Sequence, residues 1–165
     1  LGEIHGIDAF GGLTMGADPV AYGVAAIAAD RGQEIRSFSI RKESKDHGVE
    51  GRVAGALRKG DRVAITEDVV TRGVSPLEAA EVVRAFGADP VMIISVVDRG
   101  GTCEQMAKEA GISFYALLTA PDLGFEYEGP KTNNNINTLD KIHDIIINNL
   151  AKYLLDSNYN HINSL

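Results

Sequence analysis

Three short stretches carry residue types suited to holding an anion. "TEDVVTRGVS" (66–75) places two adjacent carboxylates, Glu67 and Asp68, ahead of Thr71, Gly73 and Ser75, directly before an expected helix start. Neighbouring side chains on a strand point to opposite faces, so at least one carboxylate reaches a crevice at the strand end. There it can bind hydroxyls or approach a metal carried by a substrate. Hydroxyls and a flexible backbone at a helix N-terminus make a phosphate position; an ordinary strand-to-helix connection with a Ser cap reads equally well. "GGLTMGADP" (11–19) is a glycine-rich turn running into a helix, where the backbone from Thr14 to Asp18 can approach an anion closely or form a plain tight turn. "RKESKDHG" (41–48) gathers Arg41, Lys42, Lys45 and His47 within seven residues. In a chain of net charge -7 such a cluster reads as a lid over a polyanion, with a solvated charge run as the alternative. Together the three describe a small substrate with phosphate groups at two ends and hydroxyls between, such as a phosphorylated sugar diphosphate.

These stretches need a frame to bring them together. Apolar runs alternate with helical patterns up to about residue 124. Strands are expected at 7–12, 35–41, 62–68, 91–98 and 113–119. The run "VMIISVVD" (91–98) reads as buried on both faces. Helices are expected at 18–30, with Asp18 as N-cap and Pro19 at the first helical position, at 75–87, and at 102–111. In the second of these, Ser75 and Glu78 have capping-box spacing and Gly87 is a stop. The alternation predicts an α/β fold, a parallel sheet flanked by helices on both faces. Ligands then sit at the carboxyl ends of the strands, where all three stretches fall. Residues 42–61 fit neither period and read as one long mobile loop.

Length and composition narrow the function classes. A chain of 165 residues suits one domain with a real core. The acidic balance argues against broad nucleic-acid binding. No apolar run is long enough to span a membrane, and no secretory leader is apparent. The single cysteine, Cys103, cannot form an internal disulfide, so the expectation is a cytoplasmic protein. All 18 glycines lie at or before Gly129 and asparagine dominates thereafter, which divides the chain into a domain (1–124) and an Asn-rich linker with a helical tail (125–165). Within that tail, residues 138–156 carry apolar residues on one helical face, suited to packing on the domain or on a second subunit.

The motif "EDVVT.G.S", joined to "RKESKDHG", "GGLTMGADPVA" and "VVDR" (96–99), resembles the type I phosphoribosyltransferases, and most closely their orotate-using branch. The similarity covers about residues 6 to 123. It implies the fold of that family, with a mobile catalytic loop, and transfer of ribose 5-phosphate from phosphoribosyl diphosphate to orotate. By the same resemblance, Glu67 and Asp68 bind the ribose hydroxyls, Thr71, Arg72, Gly73, Val74 and Ser75 wrap the 5′-phosphate, and Val69 and Val70 belong to the same donor-binding stretch. Thr14, Met15, Gly16, Ala17 and Asp18, with Arg41 and Lys42, hold the pyrophosphate. Mg²⁺ arrives on the diphosphate and has no direct protein ligand. Lys45, His47 and Asp68 are implied as catalytic, and Thr71 and Arg99 as orotate contacts. Lys45 and His47 close over the partner's site, so a homodimer is implied, with small-molecule substrates and no nucleic-acid or membrane partner. Against the family pattern the chain lacks an N-terminal hood and carries an unrelated tail with an appended helix. Arg72 and Val74 stand where small residues are usual, and a β-branched Val74 is unfavourable if the loop needs positive φ there. A donor-binding regulator without catalysis, or a scaffold assembled through the tail helix, are the alternative functions.

Overall fold

The computed structural model describes residues 6–42, 48–49 and 51–129. Lys45, His47 and the tail helix expected at 138–156 lie outside the described residues.

Six strands form one sheet: β1 (Ala9–Leu13), β2 (Arg36–Ile40), β3 (Val53–Gly55), β4 (Arg62–Val70), β5 (Asp89–Asp98) and β6 (Ser113–Thr119), in the order β3-β2-β1-β4-β5-β6. All neighbouring pairs are parallel except β2 with β3, which is antiparallel. Three helices connect them: α1 (Ala17–Asp30), α2 (Val74–Phe86) and α3 (Cys103–Glu109). The expected α/β sheet with helices on both faces is therefore present.

Side chains that alternate along each strand feed two cores. On one face Val63, Ile65 and Ile93 meet Ala79, Ala80 and Val83 of α2 and Ala107 of α3. On the other, Phe10 and Ala64 meet Ala21 of α1. Helix α1 buries only alanines, Ala17, Ala21 and Ala28, which lets its axis approach the sheet closely. Because α1 does not reach across the whole sheet, β5 is fully buried at Ile93, Ser95 and Val97 but only half-buried at Met92 and Ile94. The expectation of burial on both faces holds for one.

Other local expectations are corrected. Asp18 is not the N-cap of α1. The turn at Gly16 is already helical, the helix starts at Ala17, and the Asp18 N–H donates to the Met15 carbonyl at 3.2 Å. The capping box of α2 does not form either. Gly73 is the N-cap, with φ of 81°, so Ser75 lies inside the first turn, where its own backbone is helical, and no side chain caps the helix. Glu78 instead accepts a hydrogen bond from Arg52 at 2.6 Å. Strand β4 continues two residues past its expected end because Val69 and Val70 pair with Val97 and Asp98. Within 42–61, three residues are not loop: Val53–Gly55 pairs with Phe38–Ile40 as an edge strand. Gly87 does end α2, in the left-handed conformation. Among the described residues no helix is long and apolar enough to cross a membrane.

At the amino ends of the strands, buried Asp61 ties β2 to β4. It accepts from the Arg36 guanidinium and from the Arg58 amide, the latter at 2.8 Å. Removing it strands a mostly buried guanidinium, so Asp61→Ala is expected to cost on the order of 2–4 kcal/mol, read from urea unfolding midpoints. Arg36→Met combined with Asp61→Ala is expected to recover part of that loss.

Candidate functional site

The chain order dictates where a ligand can sit. From β1 the chain crosses by α1 to β2 on one side, and later lays β4 on the other side of β1. Loops leaving β1 and β4 therefore diverge to opposite faces and open a crevice at the carboxyl edge, the switch point of a parallel sheet. The stretches 14–16, 71–73 and 99–102 all leave strands at this edge, and Arg41 and Lys42 follow β2 there.

The loop after β4 is built for close approach. Gly73 takes the left-handed conformation that side chains resist, and a Cβ on it would stand 3.0 Å from Cys103 Sγ. The chain thereby enters α2 with the amides of Val74 and Ser75 in the first turn, where they have no intrahelical acceptor. Pro76 follows them at a position whose amide would also be unused. Val74 is the first helical residue and 55% exposed, so the positive φ in this loop falls on glycine and not on the β-branched residue. Arg72 is exposed beside it.

The loop after β5 is locked to the loop after β4. Asp98 accepts from the amides of Gly100 and Gly101 at 3.0 and 2.9 Å. Gly100 is required, because a Cβ there would collide with the Thr71 carbonyl. That carbonyl also accepts from the Thr102 hydroxyl at 3.0 Å. Arg99, only 4% exposed, donates from Nη2 to Thr71 Oγ1 at 2.9 Å. Thr71 and Arg99, paired in the sequence reading only by resemblance, are thus in direct contact.

Glu67 and Asp68 sit in β4 itself, both half-buried. Asp68 lies against the turn after β1, since a Cβ on Gly16 would be 2.5 Å from its Oδ1, and this oxygen accepts from the Val69 amide at 2.7 Å. Burial, reinforced by the Asp68 charge and opposed by Lys42, pushes the Glu67 carboxyl up to about 7. Glu67 Oε2 and Asp18 Oδ1 are buried with no hydrogen-bond partner among the described residues. Among the described residues no three metal-ligating side chains converge.

The remaining sequence candidates are distributed around this edge. The Thr14 amide donates to the Ile40 carbonyl at 2.9 Å, the Thr14–Met15 peptide is cis, and Met15 is 82% exposed. Ala17 is buried as the first residue of α1. Arg41 and Lys42 are exposed, and Arg41 Nη1 donates to the Gly51 carbonyl at 3.1 Å. Val69 is half-buried, and Val70 belongs to the core, with its carbonyl accepting the Arg99 amide. The sequence reading missed Asp98 as organiser of the third loop, although an Asp before two glycines is a turn signal. It also missed Glu128, whose carboxylate lies 3.2 Å from Arg99 Nε. No local pattern marks Glu128, because its partner is remote in sequence.

Comparison with known proteins gives a consistent set of relatives, although no family model matches the chain. The orotate phosphoribosyltransferase of Streptomyces avermitilis is 44% identical over 120 residues, 72% of this chain and 66% of that protein. The crystal structure of a phosphoribosyltransferase from Corynebacterium diphtheriae superposes with a TM-score of 0.65 at 38% identity, covering 72% of this chain and 68% of that one. The Mycobacterium tuberculosis orotate phosphoribosyltransferase in complex with 5-phospho-α-D-ribosyl 1-diphosphate gives a TM-score of 0.62 at 34% identity, covering 72% and 66%. The chain spans less than two thirds of the length of the Aquifex aeolicus relative, 63%, and 66% of the Streptomyces avermitilis one.

The raised Glu67 carboxyl has a defined pH signature. Its ionised form is disfavoured in the folded protein, so its contribution to stability is full below about 4.5 and is lost as pH rises towards about 7. Glu67→Gln is expected to stabilise the fold on the order of 1–3 kcal/mol at pH 8, with the difference closing by pH 4.5. Denaturant midpoints across that range measure it; a gap that widens towards acid would contradict the sign.

Proposed function

The chain belongs to the phosphoribosyltransferase family, and on that footing we propose that it transfers ribose 5-phosphate from phosphoribosyl diphosphate to orotate, giving orotidine 5′-phosphate and pyrophosphate. The observation that carries this reading is the contact of Arg99 with Thr71 directly beside the Gly73 turn and the Glu67–Asp68 pair, at the switch point of the sheet.

Each group then has a chemical task. The free amides at the start of α2, with Thr71 and Ser75, take the 5′-phosphate, which the helix N-terminus favours electrostatically. A carboxyl that ionises near neutrality beside a carboxylate suits a vicinal diol, which both donates and accepts; Glu67 and Asp68 hold the ribose hydroxyls in this way. The turn 14–18, with Arg41 and Lys42, receives the pyrophosphate. Mg²⁺ carried on the diphosphate would supply further neutralisation of the leaving group. As the bond from C1′ to pyrophosphate oxygen breaks, positive charge grows on the sugar, and Asp68 stabilises it. The acceptor nitrogen bonds to C1′, and its ring proton leaves to solvent. Thr71 and Arg99 orient the acceptor for that attack.

Lys45 and His47 complete the proposed set, closing over the site of a partner subunit. A homodimer is supported by α1, which carries no charge from Pro19 to Ala29 and leaves Tyr22 and Ile27 exposed, an unusual surface for a helix facing only water. We place the reaction in pyrimidine nucleotide synthesis in the cytoplasm, with residues 1–124 as the catalytic domain. The second reading, a donor-binding regulator without turnover, draws on the occupation of Arg99 by Glu128.

The test is pyrophosphate release and loss of orotate absorbance with donor and Mg²⁺, alongside donor binding on the same preparation. Asp68→Asn is expected to cut kcat by about 100-fold or more. Gly73→Ala is expected to weaken donor binding by about 10-fold or more, whereas Val74→Gly changes it by less than about 3-fold, since Val74 is already helical. Saturable donor binding with no turnover would favour the regulator.

A further inference from the structure

Arg99 is buried, yet most of its guanidinium is unused. Nη2 donates to Thr71, but Nε and Nη1 are buried with no hydrogen-bond partner among the described residues. The Glu128 carboxylate lies 3.2 Å from Nε, close enough to pair by charge but out of line for a hydrogen bond. Both Glu128 oxygens are themselves buried without a hydrogen-bond donor among the described residues. The two side chains are 5% and 9% exposed.

Glu128 is brought there by a strap. After β6 a 3-10 turn (Pro121–Leu123) reverses the chain, and the Phe125 amide donates to the Ala120 carbonyl at 3.0 Å. The Tyr127 ring then lies on Gly101, where a Cβ would stand only 2.8 Å from its Cγ. The Glu128 amide donates to the Arg99 carbonyl at 3.0 Å. The strap thus covers the loop after β5 and inserts one carboxylate beside the acceptor-orienting arginine.

A buried ion pair without aligned hydrogen bonds is poorly compensated for its desolvation. A guanidinium satisfies a planar carboxylate through two parallel N–H donations, which Glu128 does not accept here. A ligand carboxylate that makes them, while Glu128 returns to water, improves both groups. We infer that Glu128 is a built-in competitor that occupies the anionic-group position of the acceptor on Arg99 and must be displaced before the acceptor binds. This rests on the assignment of Thr71 and Arg99 to the acceptor under the proposed function.

The experiment compares the full chain with Glu128→Gln, which preserves shape, and Glu128→Ala, which empties the position. Removing a competitor that holds the site mostly closed raises apparent acceptor affinity by the inverse of the open fraction, here expected as a fall of about 5- to 50-fold in KM for orotate. KM for phosphoribosyl diphosphate is expected to stay within about 2-fold, because the strap's contacts named above fall on Arg99 and Gly101 of the loop after β5. Acceptor KM unchanged or raised in both variants, with turnover intact, overturns the competitor and leaves the proposed function standing. If no form turns over orotate, the Arg99 Nε–H resonance decides. Its perturbation by orotate at lower concentration in Glu128→Gln than in the parent keeps the competitor and removes only the activity. No perturbation in either form overturns both the competitor and the acceptor assignment.

Discussion

The parallel pairing of β4 with β5 is the constraint on which the carboxyl edge depends. Its register runs to Val70 beside Asp98, so the loops that follow emerge as neighbours at the same height. From there the contacts are short and local. Asp98 gathers two amides, Gly100 makes room for the Thr71 carbonyl, and Arg99 reaches Thr71 Oγ1. A slip of one residue in the ladder would send every one of these side chains to the opposite face. The site is thus a consequence of strand register before it is a set of side chains.

Charge is arranged against that frame in a graded way. Positive potential comes from a helix start and from exposed Arg41 and Lys42 at the rim. Negative charge is concentrated in β4, where Glu67 and Asp68 lie partly buried, and burial, reinforced by the Asp68 charge, leaves Glu67 only partly ionised near neutrality. Buried Cys103 sits beneath the Gly73 turn, its thiol pushed up to about 12 by burial and by the nearby Asp98 and Glu67 charges. It therefore serves as packing for the turn and not as a nucleophile.

Much of this was legible from residue order alone. The strand expected at 113–119 is β6 with the same bounds, because a short continuous apolar run between Gly111 and Pro121 is too short for a helix. Errors gathered at helix starts. Asp18 and Ser75 are good capping residues, but Gly16 and Gly73 turned the chain into the helix earlier and left both inside the first turn. Glu78, read as half of a capping box, found Arg52 from a distant segment. The edge strand β3 was missed because its three residues, Val53–Gly55, have no period of their own and are strand only by pairing with β2.

By itself the sequence determined the types of element, their order and the chemical kinds gathered for anion binding. Periodicity, turn residues and side-chain chemistry are properties of neighbours along the chain, so they survive without a fold. The tertiary structure alone decided which of those groups meet and in what state. Thr71 and Arg99, 28 positions apart, are joined by strand register. Glu128 reaches Arg99 because a turn after β6 carries the chain back over Gly101. The suppressed ionisation of Glu67 follows from burial, and the left-handed turn at the start of α2 from Gly73 packing on Cys103. These depend on distance and dielectric between segments remote in sequence, which residue order does not encode locally.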